Sequence, residues 1–141
     1  MSATGLETFD STLQTTNIWL AELMDELEWE DRHRAYHAFR VVLHALRDRL
    51  PVNETAHLAA QLPMLVRGIF FEGWHPAGKP LKERSREEFL AHIEKSYPFD
   101  FEADVENIAR AVFSVLEKHV TPGEIDDVKQ ALPAPVRKLW P

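Results

Sequence analysis

The sequence contains no cysteine, only five glycines and no long uncharged apolar run. Without cysteine the chain has no thiol nucleophile, no thiolate metal ligand and no disulfide. The glycines are too scattered to form a phosphate-binding loop of the GxGxxG or GxxxxGK type, and there is no GxSxG nucleophile elbow. A membrane-spanning helix needs ~20 consecutive apolar residues, and no stretch of the chain approaches that length.

Positive charge is also scarce. The chain has 16 lysines and arginines but 23 aspartates and glutamates, which gives a formal net charge of -7. Proteins that bind nucleic-acid backbones need basic surfaces, so this charge argues against a nucleic acid as the main partner. The first ten residues, MSATGLETFD, lack the basic start and the apolar run of a secretory signal, so a cytoplasmic protein is expected.

The sequence does contain an internal repeat. Residues 19–70 align with residues 89–140 at a constant offset of 70 positions, without insertion or deletion. Ten of the 52 aligned pairs are identical, and 15 of the other 42 keep an apolar residue opposite an apolar one. The ends agree best, since LPMLVRGIF aligns with LPAPVRKLW. We therefore predict one domain, residues 1–141, made of repeat one (about 17–71), a connecting loop (about 72–87) and repeat two (about 88–141).

Apolar residues recur at helical spacing in both repeats and no strand signal competes, so we predict an all-α helical bundle with two pseudo-symmetric halves. A first helix is expected from about Asn17 to Glu28 and a second from about Asp31 to Leu50. The second helix of repeat two is expected to start near Asp100.

Prolines mark shorter helices after these. Pro51 follows the second helix directly, and the segment Thr121 to Glu124 (TPGE) is typical of a capping box with Thr121 as the N-cap residue. Pro63 and Pro133 can end the third helices and open a short fourth one. Each repeat should therefore contain about four helices.

The order of motifs resembles a known family. The motifs are Gln61-Leu62-Pro63, Arg67, the loop GWHPAGKP (Gly73 to Pro80), Glu88-Phe89-Leu90, and Ala131-Leu132-Pro133 with Val136-Arg137. This combination is similar to the prokaryotic family called domain of unknown function 2267, over about Phe9 to Trp140. The resemblance implies a small, soluble, all-helical bacterial domain with no established activity and no catalytic residues to carry over. Ala131 replaces the glutamine in the second Leu-Pro motif, so a symmetric role for Gln61 is not expected.

Three histidines form a stripe on the second helix. His33, His37 and His44 lie within about 40° of one another at 100° per residue, and an i, i+4 histidine pair can chelate a divalent metal. The stripe lies opposite the apolar side, beside Arg40 and Arg47, which is typical of a solvated surface. Repeat two has no histidine at these positions. The pattern therefore favours a solvated surface over a metal site, and no cofactor is expected.

Three charged residues are identical in the two repeats: Arg40 and Arg110, Glu54 and Glu124, and Arg67 and Arg137. The arginines can anchor an anion, or they can brace packed helices by binding their repeat's glutamate or the carbonyls at a helix end. The sequence favours bracing.

Three functional interpretations from different classes remain open. The first is a protein-interaction or regulatory module, with an unknown partner or as a homodimer, that uses the loop surface around Phe71, Trp74, His75 and Lys79. The second is an anion- or small-molecule-binding protein in which Arg67, Arg137 and His75 line a groove between the repeats. The third is an enzyme, which no motif supports.

Overall fold

Helices make up all the regular secondary structure that the computed structural model describes, which covers residues 2–99 and 103–141. The described residues form eight helices: α1 (Glu7–Leu27), α2 (Arg32–Arg47), α3 (Val52–Ala59), α4 (Met64–Phe71), α5 (Arg86–Ser96), α6 (Val105–His119), α7 (Pro122–Ala131) and α8 (Ala134–Arg137). The all-α prediction is confirmed. Within the described residues, no helix combines the length and the apolar character that crossing a membrane requires.

The helices α2 and α6 lie at the centre. They pack against each other, and each also contacts both α1 and α5. Apolar residues that recur at helical spacing along them are buried, for example Phe39, Val42, Ile108 and Val112, and so are Val41, Leu43, Ala111 and Phe113 on other sides of the same helices. A helix that is buried on several sides must be covered by several neighbours. Of the smaller helices, α4 provides part of this cover by packing on α2 as well as α1, while α8 packs on α5 and α3 packs on α7.

Side-chain caps define the starts of four helices, α2, α5, α6 and α7. Asp31 accepts a hydrogen bond from Arg34 N at 3.1 Å, and Asp104 accepts one from Asn107 N at 3.0 Å. These caps satisfy backbone N–H groups that have no partner inside the helix. The predicted start of the second helix of repeat two, near Asp100, lies outside the described residues, and the helix that follows begins at Val105.

The first helix begins ten residues earlier than predicted, at Glu7 instead of Asn17. Two features explain the difference. The carboxylate of Asp10 accepts a hydrogen bond from Thr4 N at 2.9 Å and orders the start of the helix. The side chain of Thr12 accepts another from Leu65 N at 2.9 Å, and this bond joins the added turns of α1 to the first turn of α4.

Candidate interaction surface

The connecting loop, Glu72 to Ser85, is tied to the end of α2 by two buried arginines. Arg47 Nη1 donates to the carbonyls of Phe70 at 2.7 Å and Glu72 at 2.6 Å. Arg49 Nη2 forms an ion pair with Glu83 at 2.9 Å. Both arginines are at most 5% exposed. Glu83 of the loop pairs with the charge of Arg49, whereas Asp48 pairs with that of Arg47 at 3.1 Å. Through Glu83 and the Glu72 carbonyl, the loop and the end of α2 stabilise each other.

Trp74 is half-buried and packs on Phe71, with ring centroids 5.2 Å apart. Its indole nitrogen is buried and has no hydrogen-bond partner among the described residues. His75 beside it is exposed, whereas Lys79 is half-buried. Of the four residues predicted to form a contact surface, Phe71 is the last residue of α4, and Trp74, His75 and Lys79 lie on the connecting loop. Part of the area of the two aromatic rings is covered by their mutual contact.

Arg67 and Arg137 make matching hydrogen bonds. Arg67 donates from Nε to Ala59 O at 3.0 Å and from Nη2 to Leu62 O at 3.1 Å. Arg137 donates to the equivalent carbonyls, those of Lys129 and Leu132, at 2.7 and 3.1 Å. Arg67 thus satisfies carbonyls at the end of α3, and Arg137 satisfies carbonyls at the end of α7. These are the hydrogen bonds expected of arginines that brace packed helices, the role that the sequence favours over anion binding.

Arg40 and Arg110 have different partners. Arg40 forms an ion pair with Glu72 at the start of the loop. Arg110 binds Glu106, which also pairs with Arg86. The ion pair with Arg40 holds the pKa of Glu72 below its ordinary value, chiefly through the hydrogen bond.

The histidine stripe does not stay together. His33 and His37 are neighbours, with their Nε2 atoms 3.2 Å apart, but His44 Nε2 lies 2.7 Å from the carbonyl oxygen of Ile69. Burial lowers the pKa of both His37 and His44. The solvated surface predicted for this side of α2 is wrong at its end, since Arg47 there is 5% exposed beneath the start of the loop. The structure thus brings together two of the three predicted ligands.

An exposed apolar face lies elsewhere, where the early turns of α1 meet α4. At 100° per residue Leu6, Phe9 and Leu13 fall on the side of α1 that carries the buried Leu20 and Leu23. The core-facing stripe of α1 therefore extends beyond the core. Together with two α4 side chains it forms what we call the α1–α4 face, whose five residues are 38 to 54% exposed: Leu6, Phe9, Leu13, Met64 and Leu65.

The face contains a shallow depression of about 370 Å³, lined by four of its five residues together with Thr4, Thr12 and Gly68. Sequence reasoning missed this face because it started α1 at Asn17. The signal was present, since the spacing of Leu6, Phe9 and Leu13 is that of one helical side. It was hidden by Thr8, Asp10, Ser11 and Thr12 between them, which are weaker helix formers than leucine or alanine.

A larger open groove of about 760 Å³ lies beside the α1–α4 face, between α1 and the corner that joins α3 to α4. Arg67, Gln61 and His119 line it together with hydroxyl side chains of α1. Of the three residues predicted for an anion-binding groove, Arg67 is among the described lining residues, and Arg137 and His75 are not.

Comparison with known proteins adds one match. The model of the family DUF2267, described as an uncharacterized conserved protein, matches residues 16–139. The early turns of α1, residues 7–15, precede the matched region. No curated protein sequence matches the chain.

Proposed function

The chain belongs to the DUF2267 family of uncharacterized conserved proteins, and we propose that it acts as a protein-interaction module through the α1–α4 face. One observation supports this proposal above all: the apolar side of α1 that packs in the core continues towards the start of the helix, where its side chains are exposed. Isolated exposed apolar side chains are ordinary, but a contiguous apolar face on two packed helices is typical of an interaction site.

The partner we propose is an amphipathic helix with an apolar stripe and basic flanks. Two observations support this choice. The face is shaped by two helices with a depression between them, and an apolar helix side fits such a groove through residues spaced at i, i+3 and i+4. The first turn of α1, beside the face, carries Glu7 and Asp10, and α1 contains no lysine or arginine. Basic flanks on the partner would complement this charge, whereas a second copy of α1 would bring carboxylates near carboxylates.

A synthetic peptide tests the proposal. We would use a helical peptide of about 18 leucines and lysines with leucine on one side, and a matched peptide with glutamate in place of lysine. Binding to the full chain is measured by fluorescence anisotropy of the labelled peptide. The lysine peptide is expected to bind, and Phe9→Ser should weaken binding by at least about tenfold, since one buried aromatic anchor is worth more than about 1.4 kcal/mol.

Ile18 supplies the control, because it is 47% exposed, as Phe9 is, and lies on the opposite side of α1. Ile18→Ser should leave binding unchanged. The proposal is wrong if neither peptide binds, or if both substitutions weaken binding equally. Sedimentation velocity of the free chain tests a further outcome. If the chain is a dimer and Phe9→Ser dissociates it, the α1–α4 face binds a second copy of the chain instead of a basic helix.

The loop surface around Trp74 remains a separate prediction. A Trp74→Ala variant that keeps its fold but no longer binds the lysine peptide, while Phe9→Ser still binds it, would move the proposed contact from the α1–α4 face to the loop. Anion binding in the groove beside α1 also remains a prediction, with Arg67 as the residue that would serve it.

We also propose that the chain is a duplicated unit, with α5 to α8 equivalent to α1 to α4. The matching hydrogen bonds of Arg67 and Arg137 support this interpretation, because the donors and the acceptor carbonyls are all related by the offset of 70 positions. The early turns of α1 and the connecting loop have no counterpart in such a scheme, so a specific contact is expected in one of these two places.

A further inference from the structure

A cluster of two glutamates and a histidine lies where α3 packs on α7. Glu54 and His57 are in the first turns of α3, and Glu124 is in the first turn of α7. The two carboxylates and the imidazole each offer one ligand atom, and these atoms lie within 4.8 Å of one another. Within α3, His57 Nδ1 is 3.4 Å from Glu54 Oε2.

One oxygen of each carboxylate in this cluster lacks the partner that a buried charge needs. Glu124 is 8% exposed, and the side chain of Glu54 is 13% exposed. Glu54 Oε1 and Glu124 Oε2 are both buried, and neither has a hydrogen-bond partner among the described residues. Removing a carboxylate from water without a compensating partner is costly, and two of them side by side add mutual repulsion.

Gln61 accepts the backbone hydrogen bond that Glu124 would accept in a capping box. The donor of this bond is Thr121 N. The Glu124 side chain is therefore available to face α3 rather than its own helix start.

We propose that Glu54, His57 and Glu124 bind a divalent transition-metal ion such as Zn²⁺ or Mn²⁺. A cation would neutralise both unpartnered carboxylate oxygens at once. A shared proton would satisfy the two carboxylates too, but it would leave no role for the imidazole that lies beside them. Imidazole with carboxylates suits Zn²⁺ and other first-row ions, whereas Mg²⁺ and Ca²⁺ prefer oxygen ligands alone.

The site needs only a small adjustment to hold such an ion. Ligand atoms at about 2.1 Å from one ion lie at most about 4.2 Å apart, so the cluster must contract slightly. The side chain of His57 is 69% exposed and has room to rotate inward. Three protein ligands leave at least one coordination position open, as in zinc sites that bind water or a substrate.

The sequence carries the same cluster in a recognisable form. Glu54-Thr55-Ala56-His57 is a Glu-x-x-His motif, and Glu124-Ile125-Asp126-Asp127 is its equivalent 70 positions later. Residues three apart share one side of a helix, so each motif places two potential ligand side chains on one side of its helix. Asp127 takes the place of His57 in the second motif.

Calorimetric titration of the full chain with ZnCl₂ and MnCl₂, after dialysis against EDTA, tests this site. We expect one ion per chain, and we expect His57→Gln and Glu124→Gln each to weaken binding by at least about tenfold. His57 is exposed and Glu124→Gln removes a buried charge, so both variants should fold, which circular dichroism checks.

His33→Asn serves as the control, because His33 and His37 form the other candidate chelate of the chain. It should bind the ions like the unaltered chain. Absence of binding would leave the shared proton as the partner of the two carboxylates and overturn the proposal. Loss of binding in His33→Asn alone would overturn it as well, since the ion would then belong to α2.

Discussion

The side-chain amide of Gln61 makes two hydrogen bonds to Thr121, from the end of α3 to the start of α7. Gln61 Oε1 accepts from Thr121 N at 2.9 Å, and Gln61 Nε2 donates to Thr121 Oγ1 at 3.0 Å. Thr121 Oγ1 also accepts from Glu124 N at 3.4 Å. Of the two bonds in the capping box predicted for α7, the one from Glu124 N to Thr121 Oγ1 is present. In the other, Thr121 N donates to Gln61, 60 positions away, instead of to Glu124. This explains why Gln61 is not repeated as part of a symmetric pair.

Replacing Gln61 by alanine should therefore destabilise the protein. Its two hydrogen bonds to Thr121 would be lost, and the start of α7 would be left without half of its cap, so we expect a loss of about 1–2 kcal/mol. Urea denaturation measures the change, and the exposed Gln130, on α7, provides the control as Gln130→Ala. An unchanged midpoint for Gln61→Ala would mean that water replaces these bonds at no cost.

The metal-free protein should lose stability as the pH rises from about 4.5 to 7. Burial, with the neighbouring Glu54 carboxylate, raises the pKa of Glu124 from 4.5 to about 7. The folded protein then holds a proton that the unfolded chain has already released. This contribution to stability is complete below about pH 4.5 and is lost as the pH passes through the raised pKa.

Glu124→Gln should remove that part of the pH dependence and stabilise the protein by about 2 kcal/mol at pH 8. The measurement is the urea midpoint between pH 5 and pH 8 in EDTA, compared with that of the exposed control Glu94→Gln. Parallel curves for the unaltered chain and Glu124→Gln would contradict the expectation.

Arg49→Ala should destabilise the protein by about 3 kcal/mol, because it leaves a cavity and removes the charge that Glu83 pairs with. Arg49 is 2% exposed, its Nη1 also lies 2.9 Å from His92 Nδ1, and its guanidinium lies over the Phe89 ring at 5.0 Å. Limited proteolysis should cut the connecting loop faster in this variant. The exposed loop residue Arg84, changed to alanine, is the control, and equal cleavage rates in the two variants would show that Arg49 does not hold the loop.

Arg67→Met and Arg137→Met should each cost about 1–2 kcal/mol. Both substitutions keep the aliphatic part of the side chain and remove charged hydrogen bonds to helix-end carbonyls. Thermal and urea denaturation give the values, with the exposed Lys138→Met as the control. Unchanged stability in both variants would reject the bracing role and favour a role in binding an anion.

Much of the fold could be predicted because the relevant signals are local. Thr121 and Pro122 start α7 as expected, and Pro51, Pro63 and Pro133 occupy the N-cap positions of α3, α4 and α8. A proline restricts its own φ and the residue before it, so its effect does not depend on the rest of the chain. The early turns of α1 were missed because their polar residues become helical through contacts with α4.

The candidate sites could be predicted much less well. Glu54 and Glu124 were recognised as a repeated pair, but each was expected to serve its own helix or a nearby arginine. Their side chains meet because α3 packs on α7, a contact between residues 70 positions apart. Arg47 and Arg49 illustrate the same limit, since nothing in the periodicity of α2 tells that a loop beyond α4 covers its last turn.

The sequence by itself determined the helical class, most helix starts and the positions that face the core, since these depend on periodicity and on the residues at helix ends. Tertiary structure alone decided which polar groups meet: Gln61 with Thr121, Glu54 with Glu124, and Arg49 with Glu83. It also decided that the apolar side chains at the start of α1 remain exposed. Burial and long-range pairing follow from how helices pack, and the spacing of residues along one helix carries no information about the helix that covers it.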